Sequence, residues 1–493
     1  MSSSALAPST STLFAGARRG LVPDEPRASR RRAARVAVVV RASSASEERR
    51  KAAECTRRGL LSSGTFHVPS RVDASTTPTC THHPSDDARR SHPPRPRRRL
   101  RRDADDPLPL VRLSAAAAAA ATVANPSESG RGIPLAFPVA PSAAFASDLP
   151  KVPKATSPLK FSSVVPSQII KGCWQLSGGH RGDPATDRTS GAAAVADFAP
   201  FVSAGVTTLD TGPEACGYGP SELVIGEALK SGSIRREDVQ IFTKMCCVGR
   251  EQQNMTKDWV AQKLDLPRRR LGVDTLDLVQ MYWNDYGAKG YVDAALFLTD
   301  AKAAGKIGAV GLTNFDTRRM AEMIDAGAEI ASNQIQYSLL DRRPELQMVD
   351  YCRANGVALL PYGVVAGGLL SDKYLGVKGE DVDVDTSSKR KYASVLGYAG
   401  GYAWFQTLLA KLREVGDKHG GASVANVAAR WVLDSEVVPG VILGARNAAH
   451  VEDHRATFAF QLDDEDRAGI RAVLEKGKRP TADCYEWERG GRW

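Results

Sequence analysis

Asp210, Tyr218 and Lys244 stand at or just beyond the ends of two successive short apolar runs, and their types make an acid–base set. A Lys beside a Tyr favours the phenolate and so lowers the phenol's pKa, while an Asp anchors the Lys. Together they make a proton donor near neutral pH. The three lie in the stretches Thr208-Leu-Asp-Thr211, Gly217-Tyr-Gly-Pro-Ser-Glu222 and Phe242-Thr-Lys-Met245, and Gln280-Met-Tyr-Trp283 closes the next run with Tyr282. The chemistry open to such a set is proton donation to a substrate oxygen.

The elements that must position these residues are legible as alternating patterns. Short β-branched runs predict strands at 168–174, 206–211, 239–245, 276–283, 307–314, 330–337, 357–363 and 438–445. Amphipathic stretches predict helices between them at 192–204, 221–230, 256–271, 291–304, 317–326, 344–355 and 405–419, with two added at 423–434 and 463–475. Eight apolar strands separated by helices indicate an α/β fold, a closed parallel (β/α)8 TIM barrel, over an open sheet. Residues 379–401 are mostly polar and are expected to form a long loop over the barrel mouth. No Gly-x-Gly-x-x-Gly follows an early strand, which argues against a Rossmann cofactor site.

In such a barrel the strand C-termini share one mouth. Asp210 ends the second strand, Lys244 the third and Tyr282 the fourth. Thr313 and Asn314 end the fifth, Gln334 the sixth and Tyr362 the seventh, while Gly444 and Arg446 mark the eighth.

Residues 1–150 carry 24 Lys and Arg against 13 Asp and Glu, whereas the whole chain carries 66 against 56. The basic excess therefore belongs to the leading segment, and the rest is close to neutral. That distribution speaks against a nucleic-acid role. Residues 1–158 read as a transit peptide and disordered leader, and residues 159–493 as the barrel domain. The first forty-odd residues are rich in Ser and Arg and poor in acids, and Val40-Arg-Ala42 resembles a plastid cleavage site. An Ala run and Ala144-Phe-Ala146 are ingredients of a thylakoid signal, but they are spaced too widely, so the chloroplast stroma is expected over the lumen. No integral membrane segment is expected. The eight Cys show no zinc spacing, so no metal is expected, and the thiols read as buried or incidental.

From about Phe161 to Glu475, roughly two thirds of the chain, the sequence resembles the aldo-keto reductases. The matching phrases are Gly205-Val-Thr-Thr-Leu-Asp-Thr211, Tyr218-Gly-Pro-Ser-Glu222 with Gly226, Phe242-Thr-Lys244, Gly305-Lys-Ile307 and Gly311-Leu-Thr-Asn-Phe315. They continue with Asn333-Gln-Ile-Gln-Tyr-Ser-Leu-Leu340, Gly367-Gly-Leu-Leu370 with Tyr374, and Pro439-Gly-Val-Ile-Leu-Gly-Ala-Arg446. The resemblance implies NADP(H) lying across the barrel mouth, a small-molecule carbonyl substrate, and a proton from Tyr218 assisted by Lys244 and Asp210. It implies that Thr313, Asn314 and Gln334 hold the nicotinamide carboxamide and that Tyr362 stacks on the ring. Gly363, Gly367, Gly368 and Leu369 would pass near the pyrophosphate, and Gly444, Arg446, His450 and His454 would meet the adenosine end. Trp174 and Trp283 would line the substrate pocket.

Three positions depart from the family pattern. Tyr282 stands where His is usual, Asp210 and Tyr218 are eight positions apart where five is usual, and His454 stands where Asn often holds the adenine. Either two phenols share one oxyanion site or Tyr282 narrows the pocket. The first two departures fit an alternative, an NADPH-binding regulatory or scaffold protein with weak or no reductase activity, acting through a partner protein.

Overall fold

The computed structural model describes residues 149–178, 191–253 and 255–493. The leader, its cleavage sites and their implied destination lie outside the described residues. Eight parallel strands close into a barrel in chain order: β1 (Ile169–Gly172), β2 (Thr208–Asp210), β3 (Gln240–Cys247), β4 (Leu276–Trp283), β5 (Ile307–Thr313), β6 (Ile330–Gln336), β7 (Ala358–Tyr362) and β8 (Val441–Gly444). β8 returns to pair with β1, with Gly172 opposite Gly444, so no edge is left open.

Side-chain alternation along these strands decides what reaches the site. Phe242 on β3 and Leu278 on β4 face inward, where they pack with Ile170, Ala309, Ala331, Leu360 and Ile442. Two residues on from Phe242 is Lys244, and two beyond that is Cys246. On β4 the same step leads from Leu278 to Gln280 and Tyr282. The intervening Leu209, Val279, Met281 and Trp283 belong to the second apolar layer, between barrel and helices.

The helices of that outer layer are α1 (Gly191–Ala196), α2 (Phe198–Ser203), α3 (Ser221–Lys230), α4 (Lys257–Leu271), α5 (Tyr291–Ala303) and α6 (Thr317–Asp325), followed by α7 (Met348–Asn355). After β7 come α8 (Ser387–Ala399), α9 (Tyr402–Lys418) and α10 (Val424–Leu433), and after β8 come α11 (Val451–Ala456) and α12 (Asp464–Leu474). Their starts are chemically marked. Thr256 and Asp316 accept from backbone N–H groups three residues on, and Ser423 and Asp463 form capping boxes with Asn426 and Asp466. The single helix expected over 192–204 is divided at Asp197 into α1 and α2.

The N-terminal end of the barrel is plugged. Lys154 and Ser167 form an antiparallel bridge, Val152 N–H donates to the Ala204 carbonyl at 2.9 Å, and Leu159 and Val164 pack into the barrel interior. Burying each of those two side chains contributes about 1.5–3 kcal/mol. The packed chain thus starts ahead of Pro158, and a ligand has only the opposite mouth.

Two features at that mouth were not anticipated. Residues 387–399, expected as loop, are the helix α8: Thr386 caps it by accepting from Lys389 N–H at 3.1 Å, and Tyr392, Val395, Leu396 and Ala399 form a buried stripe. The stripe has helical spacing, but the surrounding polar residues masked it. Residues beyond Glu475 also return to the mouth. Tyr485 OH accepts from Gln336 N–H at 2.9 Å, and the buried Arg343 bridges Asp341 and Glu488. Among the described residues no helix is long and apolar enough to cross a membrane.

Candidate active site

The mouth opens into a cleft of about 1040 Å³ whose floor is a single carboxylate network. Asp210, buried at the end of β2, accepts from Lys244 Nζ at 2.8 and 2.9 Å, one bond to each oxygen. Its Oδ2 also accepts from the Tyr218 hydroxyl at 2.8 Å, and its Oδ1 from the amides of Gln280 at 2.9 Å and Gln334 at 2.6 Å. Lys244 donates its remaining bond to the Thr211 carbonyl at 2.8 Å and lies 4.2 Å from the Tyr218 ring centroid. A charge this deeply buried is tolerable only when it is both paired and hydrogen-bonded, and every donor here serves that end.

The electrostatic consequence differs from the sequence expectation. Lys244 was expected to pull the Tyr218 pKa down. Instead burial first, and then the Asp210 carboxylate that the hydroxyl touches, push the phenol well above its ordinary range. The cation faces the ring while the anion faces the hydroxyl, and the nearer anion wins. Burial pulls the Lys244 ammonium below its usual range, with Asp210 opposing.

The glycines around Tyr218 explain its placement. Gly217 and Gly219 both have positive φ, 79° and 53°, and a side chain on Gly219 would meet the Ser177 carbonyl at 2.6 Å. Gly212 lies under the Tyr218 ring, where an added Cβ would sit 2.9 Å from it. Between Asp210 and Tyr218 the chain makes a short 3-10 turn, Glu214–Cys216.

Of the residues expected around the cleft, Trp174, Tyr282, Thr313, Asn314, Gln334, Tyr362, Gly363, Gly367, Gly368, Gly444, Arg446, His450 and His454 all line it. Tyr282 is half-buried, and burial raises its hydroxyl pKa. Tyr362 donates to Asn314 Oδ1 at 3.1 Å. Gly367 and Gly368 have φ of 65° and 94°, a backbone course that side chains rarely follow. At the far end His454 is buried with its Nδ1 unpartnered, and burial beside His450 and Lys171 pushes its pKa down to about 3.

Two expected residues are not brought to the cleft. Trp283 is fully buried in the outer layer, donating its indole N–H to the Asp285 and Ala288 carbonyls at 2.9 and 3.0 Å, with its ring edge-on to Tyr291. Because Tyr282 faces the mouth, its neighbour must face the helices. Leu369 is buried in the same outer layer, and Leu370 and Ser371 reach the cleft instead.

Other contributors went unrecognised. Gln280 was visible in principle, as a polar residue inside an apolar strand at the same parity as Tyr282. Lys391, 4.8 Å from the Tyr362 ring centroid, and Tyr392, against Gly363, come from α8 and carried no local signal. The reading of the thiols as incidental is also corrected: Cys216 and Cys246, both at the cleft, are joined in a disulfide with Cα atoms 5.8 Å apart.

The chain is similar to known proteins over most of the described barrel. The chain is 27% identical over 320 residues to the aldo-keto reductase YhdN of Bacillus subtilis, covering 63% of this chain and 90% of that protein. It is 23% identical over 343 residues to the NADH-specific methylglyoxal reductase of Escherichia coli, covering 65% and 99%. A glycerol dehydrogenase from Gluconobacter oxydans shares the fold with a TM-score of 0.55 at 24% identity, covering 67% of this chain and 98% of that one. The profile of the aldo/keto reductase family matches residues 168–475, the whole span from β1 through α12. With a closed eight-stranded barrel and a large cleft at its C-terminal mouth, this chain belongs to the aldo/keto reductase family, oxidoreductases acting on carbonyl compounds.

Proposed function

We propose that the barrel is an NADPH-dependent reductase that converts aldehyde or ketone carbonyls to alcohols. The observation that carries the reading is the shared carboxylate: Tyr218 and Lys244 both bond Asp210 at the floor of one cleft. The cleft also fits a nicotinamide dinucleotide. It extends from Lys244 to Arg446, holds the unpartnered Nδ1 of His454, and passes the positive-φ pair Gly367 and Gly368, which leaves backbone open to close approach.

When bound, NADPH supplies a hydride to the carbonyl carbon. Tyr218 gives its proton to the carbonyl oxygen, its hydroxyl leaving Asp210 Oδ2 to do so. Lys244, already against the ring face, offsets the charge left on the phenolate. Asp210 holds Lys244 in place, and Gln280 fixes the carboxylate's orientation. Tyr282, kept neutral by burial, donates a second hydrogen bond to the same oxygen. Trp174 supplies an apolar wall for the substrate. Thr313, Asn314, Gln334 and Tyr362 would hold the nicotinamide end, with Gly363 and Gly444 giving room along the cofactor. Arg446 with His450 would meet a 2′-phosphate, since a guanidinium fork suits that anion. The chloroplast stroma remains the proposed compartment.

Titrating the full chain with NADPH and with NADH by fluorescence, then measuring NADPH oxidation over an aldehyde panel, tests the reading. Tight NADPH binding with turnover is expected. The alternative, a cofactor-binding regulatory protein, is favoured by one observation, the phenol of Tyr282 in place of imidazole; NADPH binding without turnover of any carbonyl would select it.

A further inference from the structure

We propose that the Cys216–Cys246 disulfide is a redox clasp that positions Tyr218, opened by a dithiol reductant acting from the cleft. The inference rests on the reductase reading above.

The loop from Thr211 to Ser221 is pinned at its ends, where the two hydroxyls meet at 2.6 Å and Lys244 bonds the Thr211 carbonyl. Tyr218 sits in its middle between two left-handed glycines. Glycines at both flanks lower the resistance of the backbone to rotation. The covalent tie falls two residues before Tyr218, at Cys216, and lands on β3 at Cys246. By strand alternation Cys246 shares the inward face of β3 with Lys244, so the loop is fastened to the strand that carries the Tyr's cationic neighbour. Cys246 is also in register with Tyr282 on β4. One bond thereby fixes the loop bearing one phenol beside the strand pair bearing Lys244 and the other phenol.

The other cysteines among the described residues, Cys173, Cys247, Cys352 and Cys484, are buried and form no disulfide. Cys216 by contrast is half-buried and lines the cleft, whereas Cys246 is buried. Attack therefore comes at Cys216 Sγ. A thiolate of the reductant bonds that sulfur, the S–S bond breaks, and Cys246 leaves as a thiolate and takes a proton. The second thiol of the reductant then displaces Cys216. Two electrons and two protons pass to the pair, and the reductant ends as a disulfide. With the clasp open, Tyr218 is free to shift, and a displacement of about 1 Å costs roughly two orders of magnitude in rate.

The test uses the full chain purified in air. Alkylation and peptide mapping should find Cys216 joined to Cys246, and dithiothreitol should free both. Over the same titration kcat for a responsive aldehyde should fall at least about tenfold, with KM for NADPH unchanged, and reoxidation should restore it. Cys216→Ser and Cys246→Ser should each show the low kcat without any response to dithiothreitol. An unchanged kcat after mapping shows the pair reduced would overturn the proposal, as would absence of the linkage in the oxidised chain. If the oxidised chain reduces no carbonyl, the reductase reading falls, yet hydrogen exchange at the amides of 214–219 still decides the clasp. Faster exchange on reduction supports it, and equal exchange sinks it.

Discussion

The Tyr218 hydroxyl donates a 2.8 Å hydrogen bond to Asp210 Oδ2, the oxygen that also accepts from Lys244 at 2.9 Å. An acid, a cation and the anion between them thus form one unit, in which the phenol keeps its proton until a better acceptor arrives. Transfer to a carbonyl that is gaining negative charge meets that condition. Replacing Tyr218 by Phe preserves the ring beneath Lys244 and removes only the hydroxyl. The expected result is a fall in kcat of about 10²–10⁴-fold, with the NADPH dissociation constant nearly unchanged. Stopped-flow turnover and fluorescence titration on the same preparation measure both.

The same unit sets a stability cost that can be separated from catalysis. Lys244 and Asp210 are buried, so removing the cation strands a carboxylate whose remaining donors, Tyr218, Gln280 and Gln334, are all neutral. Lys244→Met should lower unfolding free energy by about 3–5 kcal/mol. Lys244→Met combined with Asp210→Asn should cost clearly less than the two single changes added, because no charge is then left unpaired. Denaturant unfolding of the four proteins gives the cycle directly.

How much of this arrangement could be read in advance depended on which physical signal each residue carried. The eight strands were legible because a parallel strand covered on both faces is written as a compact apolar run, and Asp210, Lys244, Thr313 and Gln334 were legible as polar residues at or near the ends of such runs. Trp283 stands at a strand end but at the wrong parity for the mouth, since adjacent residues cannot both face it. The helix α8 was hidden because its stripe of Tyr392, Val395, Leu396 and Ala399 is set among Ser and Lys residues. The Cys216–Cys246 pairing carried no local signal at all, since 30 residues separate its ends and only the pairing of β2 with β3 brings them together.

His454 offers a pH test of the adenosine end. Its folded pKa is about 3, against an ordinary value of 6.5, because burial first, and then His450 and Lys171 beside it, disfavour its protonation. The folded chain therefore holds the ring neutral while the unfolded chain protonates it below pH 6.5. The contribution is fully present above that pH and is lost as pH falls toward 3, at about 1.4 kcal/mol per unit. His454→Asn, which cannot titrate, should accordingly lose about 2 kcal/mol less than the parent chain between pH 7 and pH 5. Unfolding curves at the two pH values check the difference, and equal losses in both proteins would show that His454 is not the group responsible.

Position 282 decides whether the second phenol helps or hinders. Tyr282 lines the cleft in register with Cys246 on one side and Thr313 on the other, and burial raises its pKa, so it offers a neutral O–H at every physiological pH. An imidazole at the same place is smaller and reaches a carbonyl oxygen with a donor that titrates near pH 6.5. If the phenol is the weaker polariser, Tyr282→His should raise kcat/KM toward small aldehydes by about tenfold or more and bring a new ionisation near pH 6–7 into the rate profile. The measurement is kcat/KM across pH 5–9 for both proteins. A profile that gains neither rate nor ionisation would place residue 282 outside the proton-donating group and leave it the role of narrowing the pocket, which a parallel gain for bulky ketones would then register.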